Sequence, residues 1–596
     1  MLGRNGDITV SPQLDRFRFG SHVVAQGFDL KNWITQHKLP VVQEAPWDVA
    51  GRKFILNPCP FDPKHKNKSA YILQFRNGGI AAGCLHSSCS GKRWADLYAM
   101  FSNGESGVPN VVGGTRSQTE TLLHLADDWE LFHTPQREAY ASVPIGNHCE
   151  NYRIASTAVR HLLQYSFFQT QNKPVRPAAV QEAIALLEGK AHFEGQQHTV
   201  YQRVAEYEGS IYLDLADAER QTVKITGGRW RLISNPPVKF RRPPGMGALP
   251  VPVSGGSLKG LRPFVNLATH DHWKMFIGCL LGALHPAGPY PVACLHGVQG
   301  SAKTTACAVF RALIDPVEVG GNYHNGLRAA PRDVHDLVIS AENNWLIALD
   351  NLSYIPTWLS DAFCRLSTGG AFGTRKLYSD DEEVLFSGRR PVLLNGIEEL
   401  ATRSDLLDRA VIICCPEISE EKRRSEREFW REFESVRPRI LGALLDAVAA
   451  AQRDIDKVEL RKIPRMADFV RWVTAAEKCL PWKKKFIDAY KRNRSQAHAL
   501  ALEASPIAPL IRRLVRAKPW KGTATKLLLK LRNLGPDVRE QQSFPKSPRV
   551  LSGILRRLAP NLGNVGICVK FGKNNKRWIE ISASTKTRKQ DVNSKA

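Results

Sequence analysis

At 596 residues the chain is too long for one hydrophobic core, and a usual size of about 150 residues per domain predicts three to five domains. The formal net charge of +26 favours a polyanionic partner, with nucleic acid ahead of a membrane surface. Length and charge together therefore exclude a small single-domain protein and point towards a multidomain protein that handles nucleic acid.

Cysteine usage, the first residues and the apolar stretches indicate the compartment. The 12 cysteines are mostly scattered, which indicates a reducing interior rather than a disulfide framework. The segment Met1–Asp29 is polar and lacks the apolar region of a signal peptide. The longest apolar stretch, around Phe276–Leu284, is about ten residues and too short to span a bilayer. We therefore expect a soluble, cytoplasmic protein without a membrane partner.

Cysteines and histidines near the N-terminus predict a zinc-binding ribbon over residues 49–101, after an N-terminal segment at 1–48. Two strand-like runs joined by Asn-Gly-Gly form a hairpin between two ligand pairs, an arrangement that suits tetrahedral zinc. The predicted ligands are Cys59, His65, Cys84 and Cys89, with His86 as the substitute ligand. In a domain with so little core, zinc would carry much of the folding energy. The alternative is a set of free buried cysteines.

A Gly/Ser-rich linker at 102–119 precedes a predicted α+β domain at 120–255. Helices are expected near 155–165 and 178–187, and strands near 200–207 and 210–215. Asp214 and Asp217 read as a solvated strand end rather than as metal ligands, because no further acidic cluster accompanies them. Basic residues close the segment: Arg229, Arg231, Lys239, Arg241 and Arg242. Its residues alone do not indicate a function.

Residues 292–305 have the pattern of a phosphate-binding loop between a buried strand and a helix. The spacing from Gly297 to Lys303 and Thr304 fits G-x-x-x-x-G-K-[ST], with Ala302 at the second glycine position. We expect alanine to be tolerated there with helical dihedral angles, since only positive φ demands glycine. The predicted nucleotide-binding residues are Gly297, Gly300, Ser301, Ala302, Lys303, Thr304 and Thr305.

Further predictions follow from the chemistry of such a loop. Backbone N–H groups would hold a phosphate, Lys303 would supply a positive charge, and the Thr304 hydroxyl would ligate Mg²⁺. Asp350 ends an apolar strand, as in the Walker B pattern, and would also hold Mg²⁺. Asn395 ends another buried strand and could orient the attacking water. Arg409 comes directly before a fourth strand, and a surface ion pair is the alternative for it.

These stretches together resemble a superfamily 3 helicase of the AAA+ class, of the primase-helicase type found in phages, genomic islands and other mobile elements. The resemblance covers residues 367–378, Asn395 as the sensor and Arg409 as the arginine finger. It implies an ATPase at 256–475 that forms a homo-oligomeric ring, a hexamer in such families, with ATP and Mg²⁺ bound at subunit interfaces. Arg409 would then act in trans.

Three features depart from the family pattern. Asn351 stands where a second acid often serves as the base, so the general base for ATP hydrolysis is not assigned. The tip of the expected pore hairpin, 380–383, is acidic. Fewer than about 60 residues precede Cys59, too few for a polymerase-type primase domain. We interpret the chain as the helicase half of a priming machine, with primase activity lost or supplied by a separate primase-polymerase.

The acidic tip shifts the expected DNA contacts of this hairpin to its base. We predict contacts by Arg375 and Lys376, or by the returning Arg389 and Arg390. Both single-stranded DNA and the duplex origin are expected partners.

The C-terminal part reads as a basic linker at 476–504, a winged-helix domain at 505–583 and a basic tail at 584–596. Residues 501–596 contain 21 Lys or Arg against 5 Asp or Glu, so much of the excess charge lies there. The predicted DNA-binding residues are Arg549, Arg556, Arg557, Lys573, Lys576 and Arg577. A solvated basic face is the alternative.

The predicted fold class is therefore α/β: an AAA+ P-loop ATPase core with a small zinc-binding ribbon, an α+β middle domain and a winged-helix C-terminal domain. The leading hypothesis is an ATP-dependent DNA helicase or translocase for replication initiation of a phage or mobile element. The alternative is an ATP-switched DNA-binding initiator or regulator without processive unwinding. A primase that reads the template through the zinc knuckle is a third, weaker hypothesis.

Overall fold

The computed structural model describes the chain in two compact units. The first comprises Met1–Pro144 and Tyr152–Gln197, and the second comprises Ile145–Asn151 and His198–Ala596. Within them the described residues are 29–47, 51–75, 80–89, 92–101, 117–146, 148–319, 326–375, 383–396, 403–461, 463–482, 485–503, 505–537, 544–574 and 576–583. The predicted basic tail at 584–596 and most of the predicted linker at 102–119 lie outside these ranges.

The first unit begins with an antiparallel sheet between two short helices. Its elements are α1 (Leu30–Gln36), β1 (Val41–Trp47), β2 (Gly51–Leu56), β3 (Ala70–Gln74), β4 (Ile80–Cys84) and α2 (Trp94–Phe101). The strands lie in the order β1-β2-β3-β4, and Leu30, Phe54, Ile72 and Leu97 fill a common core. The predicted hairpin is β3 and β4. The boundary predicted at 48/49 passes between paired strands, because β1 pairs with β2.

The remainder of the first unit packs helices on a small sheet. Its elements are α3 (Gln118–Leu125), β5 (Glu130–His133), β6 (Ala139–Ile145), β7 (His148–Arg153), α4 (Thr157–Gln171), α5 (Pro177–Phe193) and β8 (Gln196–Gln197). Residue 145 of β6 and residues 148–151 of β7 belong to the second unit. The two predicted helices correspond to α4 and α5. Residues of the predicted domain 120–255 thus lie in both units.

The second unit opens with a β-meander that shares its core with the rest of the unit. The strands are β9 (Val200–Tyr201), β10 (Val204–Tyr207), β11 (Ser210–Asp214), β12 (Thr222–Thr226), β13 (Arg229–Ile233) and β14 (Lys239–Phe240). β10–β13 pair in sequence order. Arg203 is fully buried and its Nε lies 3.1 Å from Asp315 Oδ1, so this charge is neutralised inside the core.

The predicted solvated strand end at Asp214 is wrong. Asp214 is 1% exposed, and Arg242 Nε donates to its Oδ2 at 2.9 Å. Arg241 likewise donates to Asn343 Oδ1 at 2.8 Å. Because Arg241 and Arg242 bind other residues of the chain, fewer basic side chains of this segment face solvent than its sequence indicates.

A four-stranded parallel sheet forms the centre of the second unit. The elements are α6 (His270–Ala283), β15 (Val292–His296), α7 (Lys303–Ile314), α8 (Val334–Asn343), β16 (Ile347–Leu349), α9 (Thr357–Thr368), β17 (Ala371–Arg375), β18 (Glu383–Ser387), β19 (Val392–Gly396), α10 (Ser404–Leu407) and β20 (Ala410–Cys414). The order is β16-β19-β15-β20, and all its pairings are parallel. The strands are continuous apolar runs because helices cover both faces. β17 and β18 form a separate antiparallel hairpin.

Three helices follow and complete this core: α11 (Glu426–Asp454), α12 (Ala467–Ala475) and α13 (Phe486–Glu503). Phe486, Ala489 and Tyr490 of α13 are buried in the same core as the sheet. The stretch predicted as a basic linker at 476–504 is therefore largely a packed helix. Lys491 and Arg492 of this helix are exposed, whereas Arg494 is partly buried.

The C-terminal part has its own small core. Its elements are α14 (Ala508–Ala517), β21 (Trp520–Gly522), α15 (Ala524–Leu534), α16 (Pro548–Asn564), β22 (Ile567–Lys573) and β23 (Arg577–Ala583). The helices and the hairpin occur in the predicted order, and the short strand β21 pairs with β23. Within the described part of the chain, no helix combines the length and apolar character needed to cross a membrane.

Candidate functional site

The loop between β15 and α7, which is the predicted phosphate site, makes a tight turn that depends on its glycines. A Cβ on Gly297 would lie 2.1 Å from the carbonyl oxygen of Cys415, so only glycine fits there. Gly300 has φ 78°. Ala302, directly before α7, has φ 59° and ψ 32°, which is the left-handed region. The expectation of helical angles at Ala302 is wrong, because the chain turns there before the helix begins.

Ala302→Gly is expected to stabilise the second unit by about 1 kcal/mol, because an alanine Cβ crowds the following carbonyl at positive φ. Ala306→Gly, one turn into α7, is the matched control. It should have the opposite effect, since glycine weakens a helix interior. Urea unfolding followed by tryptophan fluorescence measures both changes. A loss of stability in Ala302→Gly would contradict the left-handed assignment.

The lysine and threonine that open α7 face the predicted phosphate position. Lys303 Nζ donates to the carbonyl oxygens of Gly297 and Val298 at 2.8 and 2.7 Å. Thr304 Oγ1 donates to Asp350 Oδ1 at 3.0 Å. A hydroxyl and a carboxylate this close are a pair of hard oxygen ligands of the type that Mg²⁺ takes. The donor set therefore fits the metal that the sequence predicts.

The ends of the parallel strands bring Asn395 to the same edge. Leu295 of β15 pairs with Asn395 of β19, and β16 ends one residue before Asp350. Asn395 is 1% exposed, and its Oδ1 accepts the backbone N–H of Asn351 at 2.7 Å. The side chain of Asn351 is exposed and its φ is 54°. Four of the predicted catalytic or metal-binding residues thus lie at the carboxyl edge of the sheet.

Arg409 does not join them. Its carbonyl oxygen accepts the N–H of Val292, the first residue of β15, whereas the loop leaves the last residue of that strand. A five-residue strand is about 16 Å long. Arg409 Nη1 is held by the carbonyl oxygen of Asp405 at 2.8 Å. The arginine therefore lies at the opposite edge of the sheet and cannot serve the loop of its own chain.

The four predicted zinc ligands come together in the first unit. Their ligand atoms all lie within 4.8 Å of one another. His65 Nδ1 is 3.5 Å from Cys89 Sγ and 3.8 Å from Cys84 Sγ. Burial raises the pKa of Cys84, but hydrogen bonds from Ser69 and His86 outweigh it, and the pKa is lowered to about 6. This donor set fits Zn²⁺, whose structural sites are tetrahedral and rich in thiolates.

Contacts of the second ring nitrogen favour His65 over the substitute His86 as the fourth zinc ligand. His65 Nε2 lies 3.1 Å from Ser88 Oγ and 3.5 Å from an Asp62 carboxylate oxygen. A partner of this kind on the second ring nitrogen is usual for metal-bound histidines. His86 Nδ1 also approaches Cys84 Sγ, at 3.3 Å, but this nitrogen contacts Ser69 Oγ at 2.8 Å and Nε2 contacts Asn67 Nδ2 at 3.1 Å. The four ligand atoms that lie within 4.8 Å of one another are those of Cys59, His65, Cys84 and Cys89.

The predicted DNA-contact residues fall into two groups. Arg375 is the last residue of β17, while Lys376 and positions 380–382 of the acidic tip lie outside the described residues. Arg390 is not available for DNA, because its Nε donates to the carbonyl oxygen of Ala341 at 2.9 Å. In the C-terminal part all six predicted side chains are exposed: Arg549, Arg556, Arg557, Lys573, Lys576 and Arg577. The Arg556 guanidinium lies 4.3 Å from the Phe571 ring, which joins α16 to the hairpin.

Sequence reasoning missed Arg423. Its Nη2 lies 3.7 Å from where a Cβ on Gly300 would be, so the guanidinium lies against the phosphate loop. Its ion pair with Glu420 is long, at 3.8 Å, and exposed. Arg424 points elsewhere, to Glu432 at 2.5 Å. Arg423 stands among other charged residues, Lys422 and Arg424 beside it, so no pattern in the sequence could have singled it out.

Arg423→Ala is expected to weaken ATP binding about tenfold, because a charge-assisted hydrogen bond contributes about 1.5–3 kcal/mol before solvent screening. Arg424→Ala, its neighbour in sequence, should leave the affinity unchanged. Titration with a fluorescent ATP analogue measures both. Equal affinities for the two variants would show that Arg423 does not reach the nucleotide.

Fold and site together define a mixed α/β protein, with the predicted phosphate loop between β15 and α7 of its parallel sheet. Residues 258–492 match the family model of the actinomycete integrative conjugative element replication protein. Residues 507–594 match the model of the AICE RepA C-terminal domain. The two matches together take up more than half of the chain, which belongs to this family of mobile-element replication proteins.

Solved structures of the NrS-1 C-terminal region are similar to the chain. An apo A form is 11% identical and covers 78% of this chain and 98% of that chain, with a TM-score of 0.36. The apo structure of region 305–718 is 12% identical and covers 79% and 100%, with a TM-score of 0.34. At these scores the likeness adds nothing about the site. No curated protein matches the chain.

Proposed function

We propose that this replication protein is an ATP-dependent DNA helicase or translocase of the superfamily 3, AAA+ type, acting at replication initiation of its mobile element. One observation carries the proposal. Lys303, Thr304, Asp350 and Asn395 meet at the carboxyl edge of a parallel sheet, next to the glycine-containing loop between β15 and α7. Ligands bind at this edge in open α/β sheets.

Each of these residues has a definite task in ATP hydrolysis. Lys303 Nζ, now held by the carbonyl oxygens of Gly297 and Val298, would contact phosphate oxygens, and these contacts already direct its charge towards the loop. Thr304 and Asp350 would hold Mg²⁺, which neutralises phosphate charge. Asn395 fixes the backbone after Asp350 and stands beside the position of an attacking water. The general base stays unassigned, since Asn351 is an amide.

The position of Arg409 supports hydrolysis at subunit interfaces. It lies at the edge of the sheet opposite to the loop, about 16 Å along β15. A ring, hexameric in the type proposed, would present this edge to the loop of the next subunit. Arginines supplied in this way accelerate phosphoryl transfer by about 10³–10⁵.

Two charged surfaces support DNA as the partner. The six exposed cations on α16 and the β22–β23 hairpin would contact duplex through its phosphates. In the first unit Lys64, Lys66, Lys68, Lys92 and Arg93 are exposed near the proposed zinc site. A separate primase-polymerase would supply primers. A primase activity of this chain itself would be revealed by ribonucleotide incorporation.

A second function, an ATP-switched initiator that does not unwind processively, has one observation in its favour. The residue after Asp350 is the exposed amide Asn351 and not a carboxylate, which would make hydrolysis slow. A forked-duplex assay separates the two. The proposed helicase displaces the strand with ATP and fails with a non-hydrolysable analogue, whereas a switch binds the fork in both cases without displacing it.

A further inference from the structure

Helix α13 holds the strand that follows Arg409. Asn493 is 2% exposed, its Oδ1 accepts the N–H of Ile412 at 3.1 Å, and its Nδ2 donates to the Ile412 carbonyl oxygen at 2.5 Å. This side chain therefore pairs with β20 as a neighbouring strand would. The described sheet ends at β20, so the amide replaces hydrogen bonds that its outer edge would otherwise lack.

The next residue of α13 holds the residues just before Arg409. Arg494 Nη1 donates to the carbonyl oxygen of Leu407, and its Nη2 lies 2.5 Å from Asp408 Oδ1. The guanidinium thus makes a two-pronged contact in a half-buried position, where such contacts are strong and directional. Arg409 lies between the points held by Arg494 and by Asn493, so α13 sets the position of its backbone.

A second contact of Arg494 leads to the C-terminal part. Its Nη2 lies 3.2 Å from His498 Nε2, and His498 Nδ1 lies 2.8 Å from Asn561 Oδ1. Because arginine only donates, Nε2 must accept and the neutral ring carries its proton on Nδ1, which donates to Asn561. Burial and the charge of Arg494 lower the pKa of His498, in keeping with a neutral ring.

Asn561 is 1% exposed and belongs to α16, the helix that carries Arg549, Arg556 and Arg557. The directional path Arg494–His498–Asn561 therefore joins the residues beside Arg409 to the helix proposed to contact DNA. We propose that Arg494 is a positioning residue for Arg409, and that His498 ties this position to the DNA-binding part. The inference rests on the proposed function, in which Arg409 completes the ATP site of a neighbouring subunit.

The test compares ATP turnover of the full chain carrying Arg409→Ala, Arg494→Ala or Arg492→Ala, each alone and mixed with Lys303→Ala protein. Arg492 is the matched control, because it faces outwards to Asp271 at 2.6 Å. Arg494→Ala should lower kcat about 10²-fold with an unchanged KM, since small misplacements of a catalytic group have effects of this size. Subunits of Lys303→Ala, which keep a well-placed Arg409, should restore part of the activity. Arg492→Ala should behave as the unchanged protein.

A variant that merely misfolds loses ATP binding and is not restored by mixing, so that result overturns the positioning role. If Arg494→Ala hydrolyses ATP normally while Arg409→Ala loses an activity that mixing restores, the positioning role of Arg494 is overturned and the proposed function is not. Normal turnover of Arg409→Ala instead overturns the proposed shared site.

A separate variant tests whether His498 connects the position of Arg409 to the DNA-binding part. His498→Ala should keep its turnover without DNA and lose the stimulation by duplex DNA, with duplex affinity unchanged within about twofold. Stimulation equal to that of the unchanged protein would overturn the connection to α16.

Discussion

Lys303→Ala protein is expected to lose ATP hydrolysis. The ammonium group is held by two loop carbonyls at 2.8 and 2.7 Å, where a phosphate would replace them. Removing one preorganised group that stabilises transition-state charge costs about 10²–10³ in turnover. Steady-state phosphate release in the presence of DNA measures this.

Lys259→Ala is the control, because this lysine is exposed and lies outside the loop. It should hydrolyse ATP at the unchanged rate. Circular dichroism of both variants establishes that they fold alike. Retained turnover in well-folded Lys303→Ala would refute the assignment of the nucleotide site.

Loss of zinc is expected to unfold the N-terminal sheet while ATP turnover in the second unit continues. The core around β1–β4 is small, and structural zinc contributes about 10–16 kcal/mol of binding free energy to domains of this kind. Cys84→Ser removes the thiol with the lowered pKa and should reduce bound zinc from one ion per chain to none. Metal analysis and limited proteolysis measure the two effects.

Cys149→Ser is the matched control, since this exposed cysteine lies outside the four-ligand group. It should retain zinc and the proteolysis pattern. A purified chain without stoichiometric zinc, whose residues 51–101 nevertheless resist protease, would show that the four side chains are merely buried together.

The features that sequence predicted well are those that local pattern determines. Apolar runs such as Val292–His296 become buried parallel strands, because helices cover both faces of such sheets. Loop glycines mark a turn whose backbone only they can adopt. The four predicted zinc ligands lie close together because a short hairpin brings its two ends together, a local consequence of chain geometry.

What could not be predicted depends on contacts between distant residues. In the sequence Asp214 has the pattern of an exposed strand end, but in the fold the Arg242 guanidinium donates to its carboxylate. The basic stretch 476–504 reads as a linker, because its buried face is narrow and its partner, α6, lies about 200 residues earlier in the chain. Arg423 reaches the loop through the fold, not through its neighbours in sequence.

The wrong prediction of the backbone conformation at Ala302 has a different cause. The sequence pattern predicts a turn between a strand and a helix, and β15 and α7 flank such a turn, but the residue at the second glycine position was expected to be helical and is left-handed. Which residue closes the turn depends on where α7 begins, and helix boundaries are set by capping contacts that a single pattern does not contain. The alanine therefore adds local strain directly beside Lys303.

The claim that ATP hydrolysis drives movement along DNA is tested most directly by streptavidin displacement from a biotinylated single-stranded end. The account predicts that the unchanged protein displaces streptavidin with ATP, and that Lys303→Ala does not. ATP hydrolysis without displacement from either the 3′ or the 5′ end would contradict a motor and favour the switch.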